Sequence, residues 1–128
     1  MATVLFMAGF MANYLWEHAH VFLYAHYQGG AISEFILVRA TLFDALYCMI
    51  GGILFLSVPT LRKRSWLLLP IGFMVAIFIE WYALGTGRWA YNGLMPIIPG
   101  LHVGLTPAIQ LGLISYGMTN VYAMYAKI

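Results

Sequence analysis

The chain is poor in what a water-facing surface needs. Only 8% of its 128 residues are charged, four acids against six lysines and arginines, where a soluble domain carries about 25%. So few charges cannot cover a 14.4 kDa globule, which excludes an ordinary soluble enzyme and a disordered tail. There is one cysteine, Cys48, so the chain can form no internal disulfide, CxxC redox pair or cysteine zinc site. No GxGxxG or GxxxxGK[ST] phosphate loop is present, and no nucleophile triad is visible. A net charge of +2, with no basic stripe interleaved with aromatics, excludes nucleic acid as a partner. No basic segment precedes the apolar N-terminal run, so it reads as a retained span and not as a cleaved signal peptide.

What is present is apolar: 63% hydrophobic and 16% aromatic residues, with a mean hydropathy of +0.87. A membrane helix needs about 20 predominantly apolar residues, and four stretches meet that need. The expected fold is therefore all-α: a polytopic membrane protein with four transmembrane helices in a compact four-helix bundle. Residues 1–128 form a single domain, with spans at about 3–25, 35–58, 66–85 and 104–124. Gln28-Gly29-Gly30 breaks the first span, Ser33-Glu34 starts the second, and Pro59 stops it. Arg62, Lys63 and Arg64 cluster between spans two and three, and Lys127 lies near the C-terminus. Positive segments stay inside, which puts both termini in the cytoplasm and the protein in the plasma (inner) membrane. The bilayer is then its first partner.

The few acids carry the functional signal. Glu34 lies at the outer end of span two, whereas Glu17, Asp44 and Glu80 lie inside spans. At about 1.5 Å per residue, Glu17 is roughly 10–12 Å, Asp44 about 13 Å, Glu80 about 7 Å and Gln110 about 5–10 Å below the outer helix ends. Each of the four helices thus contributes one polar group to the outer half of the bilayer. A charge at a helix centre costs about 2.5–3.5 kcal/mol on insertion scales, so such groups face one another, a cation or water and mark function by default. Asn13, Glu17 and His20 share about 60° of arc on span one. Arg39 and Asp44 are about 140° apart on span two and poor partners for each other.

Glu17, Asp44 and Glu80 are thus the candidate catalytic acid/base groups. Arg39, Arg88, Gln110 and Asn13 are the candidate substrate-binding residues. A divalent metal is the candidate cofactor, held by Glu17, His20, Asp44, Glu80 and His102. Glu17 and His20 have the Glu-x-x-His spacing of carboxylate di-metal bundles, although those use two such motifs, and carboxylate with imidazole suits hard or borderline metals. Haem held by His20 and His102 is a weaker alternative, since His18, His20 and His26 are all in or just beyond one span. Residues 86–102, with Pro96, Pro99 and several glycines, are too apolar for a free loop and too proline-rich for a span. They read equally as a cap over the bundle or as an interfacial segment anchored by Trp89 and Tyr91. Helix seams are expected at the small residues Gly104, Ala108 and Gly112.

Three functions fit these residues. The first is an outer-leaflet site for a divalent metal or a polar, lipid-like substrate. The second is a non-catalytic accessory or assembly subunit of a larger membrane complex. The third is a small dimeric transporter, although alternating access favours a site nearer the midplane. Partner subunits or a homo-oligomer accompany the second and third readings.

Overall fold

A computed structural model describes residues 1–128. Helix α1 spans Ala2–His20, α2 Glu34–Ser57, the short α3 Pro59–Arg62, α4 Leu68–Gly85 and α5 Leu105–Tyr125. The protein is mostly helical, of the all-α class. Two short antiparallel strand pairs complete it. Strand β1 (Tyr24–Tyr27) pairs with β2 (Trp89–Tyr91), with Tyr24 opposite Tyr91 and Tyr27 opposite Trp89. Strand β3 (Ile97–Ile98) pairs with β4 (Val103–Gly104).

Helix boundaries follow local chemistry. Ser33 caps α2, its hydroxyl accepting from the Ile36 amide at 3.3 Å. Pro59 opens α3 where its missing N–H costs nothing. At the C-terminal end of α2 the Arg62 guanidinium donates to the Leu56 carbonyl through Nε (3.0 Å) and Nη2 (2.6 Å), a cation on the negative end of a helix. The first helix is shorter than the expected 3–25: α1 ends at His20, and a 3₁₀ turn (Val21–Leu23) leads into β1. The cause lies across the chain, where pairing with β2 draws 24–27 into an extended conformation. A second 3₁₀ turn, Ser65–Leu67, precedes α4.

Two segments are long and apolar enough to cross a membrane: Glu34–Ser57 and Ser65–Gly85. Helices α1 and α5 are long enough but less apolar, because Asn13, Glu17, His18 and His20 lie in the first and Gln110, Ser115, Thr119 and Asn120 in the second. Helix α1 packs on α2, α4 on α5, and α5 also touches α1 and α2, whereas α2 and α4 make almost no contact. The closest seam is α4 against α5. A Cβ on Gly112 would lie 2.6 Å from the Leu69 carbonyl oxygen, so the helices approach backbone to backbone.

An apolar core that includes Leu5, Ala45 and Val103 shares the interior with polar residues, and many large apolar residues lie outside. Asn13, Thr41, Ser115 and Thr119 are completely buried, while Leu15, Phe78 and Val121 are 60–66% exposed. Polar groups in the interior and large apolar groups outside are the arrangement that hydrocarbon favours.

Candidate functional site

The interior polar groups meet where α1, α2 and α5 converge. The Gln110 amide nitrogen on α5 lies 2.8 Å from Glu17 Oε1 on α1, 3.0 Å from Asp44 Oδ2 on α2 and 3.0 Å from Asn13 Oδ1. Asn13 is fixed as an acceptor here, because its own NH2 donates to the Gly9 carbonyl (2.8 Å) and faces the Cys48 sulfur (3.7 Å). An NH2 group has two hydrogens for these three acceptors. Three acceptors thus converge on one amide, which ties Asn13, Glu17 and Asp44 to a single point on α5. The other Glu17 oxygen lies 3.5 Å from His20 Nε2, and His20 Nδ1 lies 2.9 Å from Thr106 Oγ1.

Glu80 forms a second polar group above this one. Trp89 Nε1 donates to its Oε2 at 3.1 Å, the Tyr91 hydroxyl donates to the same oxygen, and the Gly104 amide donates to the Tyr91 hydroxyl at 3.0 Å. Burial first, then the neighbouring Glu80 carboxylate, pushes the Tyr91 phenol above its usual range. Tyr91 is therefore a standing donor at any physiological pH. Tyr24 links the two groups. Its ring meets His20 edge-on at 5.4 Å, Tyr91 at 5.4 Å and Trp89 at 6.3 Å.

These groups lie at the base of a cavity of about 570 Å³ between α2 and α4. Glu17, Asp44, Glu80 and Gln110 line its floor. Its walls are apolar, with Ile36, Ala40 and Phe43 from α2 and Ala76 and Ile79 from α4. Tyr27, Gln28, Arg39, Arg88 and Trp89 surround its mouth. Arg39 donates to the Tyr27 hydroxyl, and its guanidinium lies 5.5 Å from the Tyr27 ring centre and 6.0 Å from that of Phe35. Arg88 lies 5.3 Å from the Tyr82 ring centre. Neither arginine pairs with an acid; the close acid–base contacts present are His18 with Glu34 at 2.8 Å and His20 with Glu17 at 3.5 Å.

The structure thus brings Asn13, Glu17, His20, Asp44 and Gln110 together, holds Glu80 beside them, and sets Arg39 and Arg88 at the entrance. It does not assemble the expected metal ligands. No group of three or more His, Cys, Asp or Glu side chains is arranged to hold a metal ion. The reason is specific. The point on which Glu17 and Asp44 converge is taken by the Gln110 NH2, a donor and not a ligand. Glu80 turns to its two aromatic donors, and His102 stands exposed in the β3–β4 turn with φ +57°. Of the two histidines considered for haem, His20 is buried against Thr106 and Glu17, and His102 is exposed. Trp89 and Tyr91 belong to the site as donors to Glu80, where sequence reading gave them only an interfacial role. The available signal was a pair of aromatics with polar tips shortly after a buried acid.

The fold and site define a helical protein with a buried, mutually hydrogen-bonded acid–amide cluster beneath a side cavity. No family model matches the chain, and neither does any curated protein or any solved structure.

Proposed function

We propose that the chain is a four-span integral membrane protein of the plasma (inner) membrane, both termini cytoplasmic, that binds a small lipid-like molecule in the cavity between α2 and α4. In this reading α1 and α5 cross the bilayer with α2 and α4, and the paired strands lie over the extracytoplasmic end. The observation that carries the proposal is the cavity itself, whose apolar walls stand over a floor of Glu17, Asp44, Glu80 and Gln110. Ligand sites commonly combine apolar walls with a few convergent polar groups, at volumes of about 300–1,000 Å³. Glu17, Asp44 and Glu80 are the acid/base candidates, and Gln110, with Asn13 behind it, fixes the first two.

The test is native mass spectrometry of the protein extracted gently from its own membranes. The expected result is one or a few chains carrying a small-molecule adduct, lost from a Glu17→Gln, Asp44→Asn double variant that still folds. Recovery within a large hetero-complex, with no adduct in wild type, would make the chain an accessory subunit and its acids buried packing groups.

A further inference from the structure

We propose that the ligand is an amphiphile with an anionic headgroup, which enters sideways between α2 and α4, its headgroup held by Arg39 and Arg88 and its chain leaving through the same gap. This deepens the cavity reading and rests on it.

The first observation is the gap. Each of α2 and α4 packs on other helices, yet the two barely touch each other. The space between them is the cavity, faced by Ile36, Ala40 and Phe43 on one side and Ala76 and Ile79 on the other. Phe43 is exposed, so the apolar wall continues onto the outer surface of α2. In a bilayer such a slot opens onto acyl chains, and a hydrocarbon tail lying in it loses no contact with lipid.

The second observation is the charge at the mouth. Arg39 and Arg88 come from different elements and are drawn to one end of the β1–β2 ladder. Arg39 donates to the Tyr27 hydroxyl, Tyr27 stands opposite Trp89, and the Gln28 amide donates to the Arg88 carbonyl at 2.6 Å. Both arginines are among the residues lining the cavity, and neither has a carboxylate partner within 4.0 Å. Arg39 lies near the Tyr27 and Phe35 rings and Arg88 near that of Tyr82, and beyond the Arg39–Tyr27 bond their N–H groups have no side-chain acceptor and can serve an oxyanion.

The order of charges fixes which way the ligand lies. The floor holds three carboxyl side chains and no lysine or arginine, and the only two such residues lining the cavity are Arg39 and Arg88 at the mouth, so the negative group lies beside the arginines. The part next to the headgroup then lies over Glu17, Asp44 and Glu80. A cavity of about 570 Å³ holds a headgroup and the start of a chain, and the slot carries the remainder into the bilayer. A phosphate and a carboxylate both suit two guanidiniums.

The experiment uses the full chain in nanodiscs of phosphatidylcholine, offered dodecyl phosphate, dodecanoate or dodecanol, with bound adducts counted by native mass spectrometry. The expected result is retention of the phosphate at least 10-fold above the alcohol. An Arg39→Gln, Arg88→Gln double variant should bring it down to the alcohol level, and an Arg39→Lys, Arg88→Lys variant should restore part of it. Ala40→Trp, which fills the slot, should lower retention of all three. Dodecanoate held as well as the phosphate supports the proposal and names a carboxylate lipid as the source. Equal retention of dodecanol and dodecyl phosphate, unchanged by the arginine variants, overturns the anionic headgroup while leaving the cavity reading intact. Full retention in Ala40→Trp overturns the sideways entry. If none of the three is retained, and the protein from its own membranes also lacks an adduct, the cavity reading fails first and the headgroup inference with it.

Discussion

At the scale of single residues the protein turns on Gln110. Its NH2 is the meeting point of Asn13, Glu17 and Asp44 at 2.8–3.0 Å, and no arginine or lysine pairs with either acid. Gln110→Leu removes both hydrogens and leaves buried acceptors unserved, at about 1–3 kcal/mol each. Thermal unfolding in detergent is expected to show a loss of about 3 kcal/mol or more. Gln110→Glu keeps the size but puts acceptors where donors were, and is expected to unfold at or below the temperature of Gln110→Leu at pH 7. A wild-type melting temperature in both variants would mean that the cluster does not hold the helices together. Much of this cluster was legible in the sequence. On the four-span reading, one polar group per span at a similar depth is a strong constraint, because each has to find the others or pay for its burial in lipid. The partners of Glu80 were not legible, since Trp89 and Tyr91 reach it by a turn after α4 that no periodicity announces.

At the scale of elements, α4 and α5 meet through glycine. Gly112 has no room for a side chain, its Cβ falling 2.6 Å from the Leu69 carbonyl, whereas a Cβ on Gly117, five residues along the same helix, would meet nothing within 4 Å. Gly112→Ala is therefore expected to destabilise by about 1–3 kcal/mol by forcing the helices apart. Gly117→Ala is expected to be neutral or slightly stabilising, because alanine is the better helix former by roughly 1 kcal/mol. Parallel unfolding curves of the two variants check this, and equal midpoints would refute the close seam. The helices themselves were readable as long apolar runs between turn residues. The small-residue spacing at Gly104, Ala108 and Gly112 pointed to a seam, but not to its partner at Gly72 and Leu69. Strands β1 and β2 were not readable. Three or four residues have no pattern of their own, and the pairing of Tyr24–Tyr27 with Trp89–Tyr91 is decided across more than sixty residues of chain. That pairing is also why the first helix ends at His20 and not near residue 25.

At the scale of the whole molecule the question is which end faces out. Cys48 is completely buried with its sulfur facing Asn13, so wild type is expected to resist a membrane-impermeant maleimide. Against that silent background, Gln28→Cys and Lys63→Cys report opposite ends; both positions are exposed. In intact cells Gln28→Cys is expected to label and Lys63→Cys to label only after permeabilisation. The reverse pattern would place the cavity mouth on the cytoplasmic side. Labelling of both in intact cells would be incompatible with the proposed crossing of α2.

The position of Gln110 on the last long helix has a consequence for how the protein is made. Glu17 and Asp44 are synthesised long before the residue that joins them, and the strand carrying Trp89 and Tyr91 also emerges after Glu80. On the four-span reading, a nascent chain passes through a stage in which three acids sit in the membrane with none of these donors. Only the arrival of α5 brings the amide. A chain that stops before α5 therefore leaves Glu17 and Asp44 without the amide that joins them in the finished fold.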